Sequence, residues 1–330
     1  ILKIASVIGR IFQFDILKQL QNLKEIADRL DIKDSLFDLT KVDLTIFEET
    51  SDNEYLFKHA ITQEVAYETL LFSLRRKYHL RIAQLYEKNF GDNISSAYEL
   101  LAFHYRHTND KEKAKYYLLR SAESAKSKFR FKETFDFLKL YRKYKMSREE
   151  KLESYFLDID IYRVTEKRDK AAAVCDKIAL SASDNRYLYE KAMVKKMNIL
   201  RRSAKYDEAE KLYRSLGKLK DVYLRIEALI ELAYVIFRTG DLDEMQGTLD
   251  TAEKLLKKNP YPKLILFLNI ARGMYHFRKR EFDRSLEYNK SMLSLADRNG
   301  LINEKFVILQ NIAAAYGQTG RMDEAAKYFE

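Results

Sequence analysis

The chain has 330 residues, with 60 Lys and Arg against 50 Asp and Glu and a formal net charge of +10. Only 9 Gly and 2 Pro, among 33% charged residues, are too few breakers for a many-stranded fold and suit long helices joined by short turns. A single cysteine, Cys175, excludes an intramolecular disulfide and fits a cytoplasmic setting, and no apolar run approaches the roughly 20 residues that span a bilayer.

In chain order, "LKIASVIGRIF" (2–12) reads as a buried helix closed by Gly9, and "FDILKQL" (14–20) opens a second. "KDSLFDLTKVD" (33–43) is amphipathic. "LTIFEETSDNEYLFKH" (44–59) reads as a hairpin, two apolar-aromatic runs around a polar turn at Ser51, Asp52 and Asn53. Helices followed by a hairpin make a winged helix. Past His59, residues Tyr67, Leu70, Leu71, Leu74, Tyr78, Ile82 and Leu85 recur at helical steps and predict an internal face. His79 lies among Arg75, Arg76, Lys77 and Arg81 and is expected on a solvated face or at an interdomain contact.

Further on, an internal repeat governs the pattern. "NIAAAYGQTGRMDEAAKYFE" (311–330) sets Ala313 three before Tyr316, turns at Gly320 and places Ala325 nine after the tyrosine. That is the pattern of a tetratricopeptide repeat, whose two antiparallel helices need small residues where they approach most closely. Equivalent positions fall at Ala171, Ala209, Met245, Ser285 and Ala325, at intervals of 38, 36, 40 and 40 residues. The usual period is about 34, so these helices are longer than standard. Upstream, residues 102–141 resemble the irregular first helices of such an array, with Ala102, Tyr105 and Ala114 as the matching positions. The sequence therefore predicts an all-α protein: a TPR-like α-solenoid, a right-handed superhelix of helical hairpins, behind a small winged helix with one β-hairpin. The expected segments are 1–90, 91–146 and 147–330.

"LKIASVIGRIF", then "YLFKHAITQEVAYETLL", then "RRKYHLRIAQLYE" resembles the winged-helix region that follows the NTPase core in large AAA/STAND-type signalling ATPases. These include nucleotide cyclases carrying an ATPase and tetratricopeptide repeats, and LuxR-type regulators. The resemblance extends over the whole chain and implies the order effector, ATPase, winged helix, repeats. The start at Ile1 without a methionine, and the stop at Glu330 inside a helical pattern, read as a piece of a longer protein. No G-x-x-x-x-G-K-[ST] occurs, and no cyclase carboxylate pair can be placed, so no enzyme and no cofactor is expected on this chain. ATP or ADP would belong to the parent. The resemblance implies that His59 reaches nucleotide phosphates held by the ATPase. The alternative is that His59 satisfies local backbone groups.

Other chemistry is excluded on residue types. Acids interleave with bases, as in "DKEKAK" (110–115), which marks solvated helix faces rather than a nucleic-acid surface. The candidate recognition helix, 31–43, carries Asp31, Asp34, Asp38 and Asp43, and the wing carries Glu48, Glu49, Asp52 and Glu54, so phosphate is repelled and no specific DNA is expected. His104 and His107, near Asp110 and Glu112, read as a surface cluster rather than a metal site.

The repeats offer a binding surface on the first helix of each pair. Counting back from the small positions aligns Arg202, Arg238, Arg278 and Gln318, with Arg201, Phe237, Phe277 and Gly317 one residue earlier. Asn198, Tyr234, Met274 and Ala314 line the next position along. An arginine stripe beside an aromatic one suits a protein or peptide with acidic and apolar side chains in a concave groove. The alternative is that the aromatics pack between repeats. Two functions stay open: a regulatory module coupling a nucleotide switch to a partner or to the parent's own ATPase and effector domains, or a free-standing repeat adaptor with no ATPase.

Overall fold

The computed structural model describes residues 1–21, 31–48, 53–182 and 184–328. The chain divides into two compact units, Ile1–Met146 and Ser147–Glu330.

The N-terminal unit opens with α1 (Leu2–Ile8), stopped at Gly9, then β1 (Ile11–Gln13), α2 (Phe14–Gln21) and α3 (Ile32–Lys41). Asp31 caps α3, its carboxylate accepting from the amides of Lys33 and Asp34. Strands β2 (Thr45–Glu48) and β3 (Glu54–Phe57) follow, and the antiparallel sheet runs β1-β3-β2. The hairpin forms as expected, though Ser51 and Asp52 of its turn lie outside the described residues. The third strand is a difference from the sequence reading, which ran the α1 segment to residue 12. Gly9, at φ +153°, turns the chain so that Ile11 pairs with Leu56 and Phe12 with Tyr55. Phe12 and Phe57 are thereby buried 5.6 Å apart under the helices.

After the sheet come α4 (Ala60–Glu68), α5 (Phe72–Phe90), α6 (Tyr98–Arg106), α7 (Lys111–Ser127) and α8 (Phe131–Tyr141). The Gln63 side chain fixes α4 to α1 by donating to the Ser6 carbonyl at 2.7 Å. One apolar cluster runs from Ile4 through Phe57 and Ile82 to Tyr141, so residues of 1–90 and 91–146 share a core. Leu71 departs from its expected place on the internal face. It precedes α5 in an extended conformation, which turns its side chain outward to 70% exposure.

The C-terminal unit consists of helical pairs: α9 (Arg148–Val164) with α10 (Arg168–Ser181), α11 (Arg186–Arg202) with α12 (Tyr206–Leu216), and α13 (Val222–Thr239) with α14 (Leu242–Lys258). Then α15 (Pro262–Arg278) pairs with α16 (Phe282–Arg298), and α17 (Ile302–Gln318) with α18 (Met322–Ala326). This is a tetratricopeptide-like array. Ala171, Ala209, Met245, Ser285 and Ala325 are all buried, as the repeat pattern requires. Five residues before each of them the chain turns through a left-handed residue: Glu166, Ala204, Gly240, Arg280 and Gly320. Three of these turns thus put a residue with a Cβ where glycine is favoured. Helix starts are secured locally, by a Ser147–Glu150 capping box on α9 and by Asn185, Asp221 and Asp241 on α11, α13 and α14.

Gly273 on α15 is demanded by packing. A Cβ there would lie 2.1 Å from Asn289 Nδ2 on α16. Asn289 is fully buried and held on two sides, donating to the Ser285 carbonyl and accepting from Asn311 Nδ2.

Candidate functional site

Each first helix of the array ends at an equivalent place. Arg202 closes α11, Arg238 lies one residue before the end of α13, Arg278 closes α15 and Gln318 closes α17. All four are exposed. Cations in a last helical turn also sit favourably against the helix dipole. One residue earlier, Arg201, Phe237, Phe277 and Gly317 are half-buried.

The first helices of successive pairs pack directly on one another, α9 on α11, α11 on α13, α13 on α15 and α15 on α17. This brings stripe residues of neighbouring repeats together. Arg278 on α15 reaches back to 5.3 Å from the Phe237 ring on α13, whose other neighbour is Arg238 at 5.6 Å. The guanidinium lies over the α13–α14 turn, with Nη2 3.5 Å from the position a Cβ of Gly240 would take. Phe277 packs edge-on against Phe282 at 5.5 Å. Phe237 and Phe277 therefore each have a packed side and an open one, between the two alternatives the sequence left.

One repeat earlier the same positions are engaged differently. Asn198 is buried and donates through Nδ2 to Glu231 Oε1 at 2.7 Å, and Arg201 Nε donates to Glu231 Oε2 at 2.7 Å. Arg201 also stacks over Tyr234, 4.7 Å from the ring centroid. Burial works against the Arg201 charge, but Glu231 more than offsets it and holds its pKa above the ordinary value. The Tyr234 hydroxyl donates to the Phe267 carbonyl at 3.2 Å. Asn198, Arg201 and Tyr234 are thus engaged with the neighbouring first helices, whereas Arg202, Arg238 and Arg278 have no carboxylate partner among the described residues. Although Arg202 keeps an exposed surface, partial desolvation, then repulsion from Arg201 and Arg163, lowers its pKa.

His59 stands at the N-cap of α4, exposed, and its imidazole makes no capping hydrogen bond. Lys58 beside it pairs with Asp43 at 2.9 Å.

Two histidine expectations are corrected. His79 is fully buried, not solvated, and His104 is fully buried, not part of a surface cluster. Arg75 curls back onto Glu68 at 2.9 Å, which leaves the His79 face of α5 to pack with Ile82, Ala83 and Tyr86. The spacing 79, 82, 83, 86 was the available signal. No group of three or more His, Cys, Asp or Glu suited to a metal occurs among the described residues. Among those residues, no helix is long and apolar enough to cross a membrane.

No protein-family model and no curated protein matches the sequence. Among solved structures, the chain is similar to a Signal Transduction ATPase with Numerous Domains (STAND) protein with a tetratricopeptide repeat sensor from Pyrococcus horikoshii. The TM-score is 0.51 at 15% identity, covering 99% of this chain and 54% of that one. It is also similar to aspartyl phosphate phosphatase F from Bacillus subtilis, with TM-score 0.56 at 11% identity, covering 95% of this chain and 78% of that one. This chain spans about half the length of the STAND protein. Likeness at such identity concerns the fold, and a shared fold does not carry an activity across.

Proposed function

We propose that the chain is a regulatory interaction module that captures a protein or peptide bearing acidic and apolar side chains. The observation that carries this reading is Phe237, half-buried between two exposed arginines, Arg238 and Arg278, that have no carboxylate partner among the described residues. Charge-assisted bonds from guanidinium to carboxylate are strong and directional, and the open faces of Phe237, Phe277 and Met274 would take adjoining apolar side chains. Arg202 and Gln318 extend the stripe at either end. Asn198, Arg201 and Tyr234 shape it. The first helices pack on one another while the second helices do so less closely, which supports assigning them the inner, concave wall.

The sheet and helices of residues 1–57 suit a winged helix, and the exposed His59 at the start of α4 would be free to meet a phosphate held by a neighbouring ATPase. In this reading the ATPase is an intramolecular partner, ATP or ADP binds there and not here, and no sequence-specific DNA contact is made.

A display library of peptides with Asp or Glu fixed two residues from Leu or Phe tests the capture. The whole chain should enrich such peptides at low salt, and the double variant Arg238→Glu, Arg278→Glu should lose that enrichment with its helicity unchanged. Equal enrichment by the variant would overturn the reading.

A further inference from the structure

In the N-terminal unit a pair of histidines ties α5 to α6. His79 Nδ1 and His104 Nδ1 are 2.9 Å apart, and both rings are fully buried. Two Nδ1 atoms at that distance share one proton, so one ring donates its N–H and the other must keep a lone pair. On the far side of His79, Nε2 meets the Tyr67 hydroxyl of α4 at 3.0 Å. His104 Nε2 is buried and has no partner. Both contacts of His79 are met if His104 donates through Nδ1 and His79 donates through Nε2 to the Tyr67 oxygen. The group left over at His104 is then a lone pair.

Among the described residues, no carboxylate is bonded to either ring. His107, just past α6, stacks on His79 with centroids 4.5 Å apart, Phe103 meets His79 edge-on at 5.7 Å, and Tyr86 lies 5.8 Å from His104. On α4, Glu68 is already bonded to Arg75, which lies over the Tyr67 ring at 4.7 Å. Burial, then repulsion from Arg106, lowers the pKa of His107. Burial first, and repulsion among the three imidazoles second, push His79 far below the ordinary histidine value, and burial and His107 do the same to His104.

We propose that the His79–His104 pair is a proton-sensitive latch between α5 and α6, closed while both rings are neutral and opened when either gains a proton. A proton on the accepting Nδ1 sets two N–H groups face to face. A proton on His104 Nε2 creates a buried cation whose new N–H has no acceptor. In both cases the contact between the helices is lost, and with it the link through Tyr67 to α4. Mild acidification would thus loosen the N-terminal unit where α4, α5 and α6 meet.

Hydrogen exchange on the whole chain, corrected for the intrinsic pH dependence, tests this. Protection in α5 and α6 should fall more than tenfold between pH 7.5 and pH 5.5 while α13 and α14 hold theirs. The double variant His79→Phe, His104→Leu should make α5 and α6 insensitive over the same range. A uniform fall across both units, or a variant as sensitive as the parent chain, would overturn the latch. Side-chain NMR of the unaltered chain decides the matter if the variant does not fold. His79 and His104 should stay neutral down to pH 5 in the folded state. Titration of either buried ring near the free-imidazole value of about 6.5 would refute the proposal.

Discussion

In the N-terminal unit, His79 and His104 sit fully buried between α5 and α6 with no carboxylate bonded to either ring among the described residues, and burial favours their neutral forms. In the C-terminal unit, the Arg201–Glu231 ion pair sits between α11 and α13 with the neutral Asn198 amide donating to the same carboxylate, and Lys195 and Glu227 pair beside them at 3.0 Å. Burial works against the Lys195 charge, and Glu227 and Asp160 outweigh it. One interface thus removes charge and the other pairs it. The first is vulnerable to a proton. The second is vulnerable to loss of a partner, because an unpaired charge left inside costs more than the pair contributes.

The contrast can be broken at Glu231. Its replacement by alanine strands Arg201 and Asn198 at once, and urea unfolding of the whole chain at pH 7.5 should show a loss of about 2–3 kcal/mol, discounted from the fully buried case because Arg201 is partly exposed. The histidine interface should not respond to that change. It should respond to pH. Its folded pKa values lie below the unfolded value of about 6.5, so the unfolded chain takes up protons first as pH falls. The stabilisation is complete above that pH and is lost progressively below it. Lowering pH from 7.5 to 5.5 should remove about 1.4 kcal/mol per ring, about 3 in all. No such loss in urea titrations at the two pH values would place a counter-charge near the rings.

A smaller effect is expected where packing, not charge, sets the limit. Gly273→Ala drives a methyl group into Asn289, which cannot swing aside without losing its bonds to Ser285 and Asn311. A cost of about 1–2 kcal/mol, read from the urea midpoint, is expected. Smallest of all, Ala204→Gly relieves a left-handed residue at φ +57° and should stabilise by up to about 1 kcal/mol, the gain reduced by the greater freedom of glycine in the unfolded chain. An unchanged or lower melting temperature for this variant would show that the turn holds alanine without strain.

Much of the array was legible because it repeats. Ala171, Ala209, Met245, Ser285 and Ala325 could be aligned with one another, and each is buried where the two helices of its pair meet. The left-handed turn residues were legible only where they are glycine, at Gly240 and Gly320. Glu166, Ala204 and Arg280 take the same conformation without announcing it. Strand β1 was hidden because three residues between two helices give no alternation to read. His79 was misjudged because its basic neighbours in sequence face elsewhere once the helix forms. The arginine stripe was legible as positions. What the sequence could not reveal was that Glu231 already engages Arg201 and Asn198, which separates the wall of the stripe from its free donors, since that carboxylate comes from the next first helix.

The central claim, that the ends of the first helices form the capture surface, is tested most directly by hydrogen exchange on the whole chain with and without an enriched acidic-apolar peptide. Protection should appear in residues 234–241 and 274–281, around Phe237, Arg238, Phe277 and Arg278, and vanish in the Arg238→Glu, Arg278→Glu variant. Protection confined to residues 1–146, or to the second helices α14 and α16, would contradict the account.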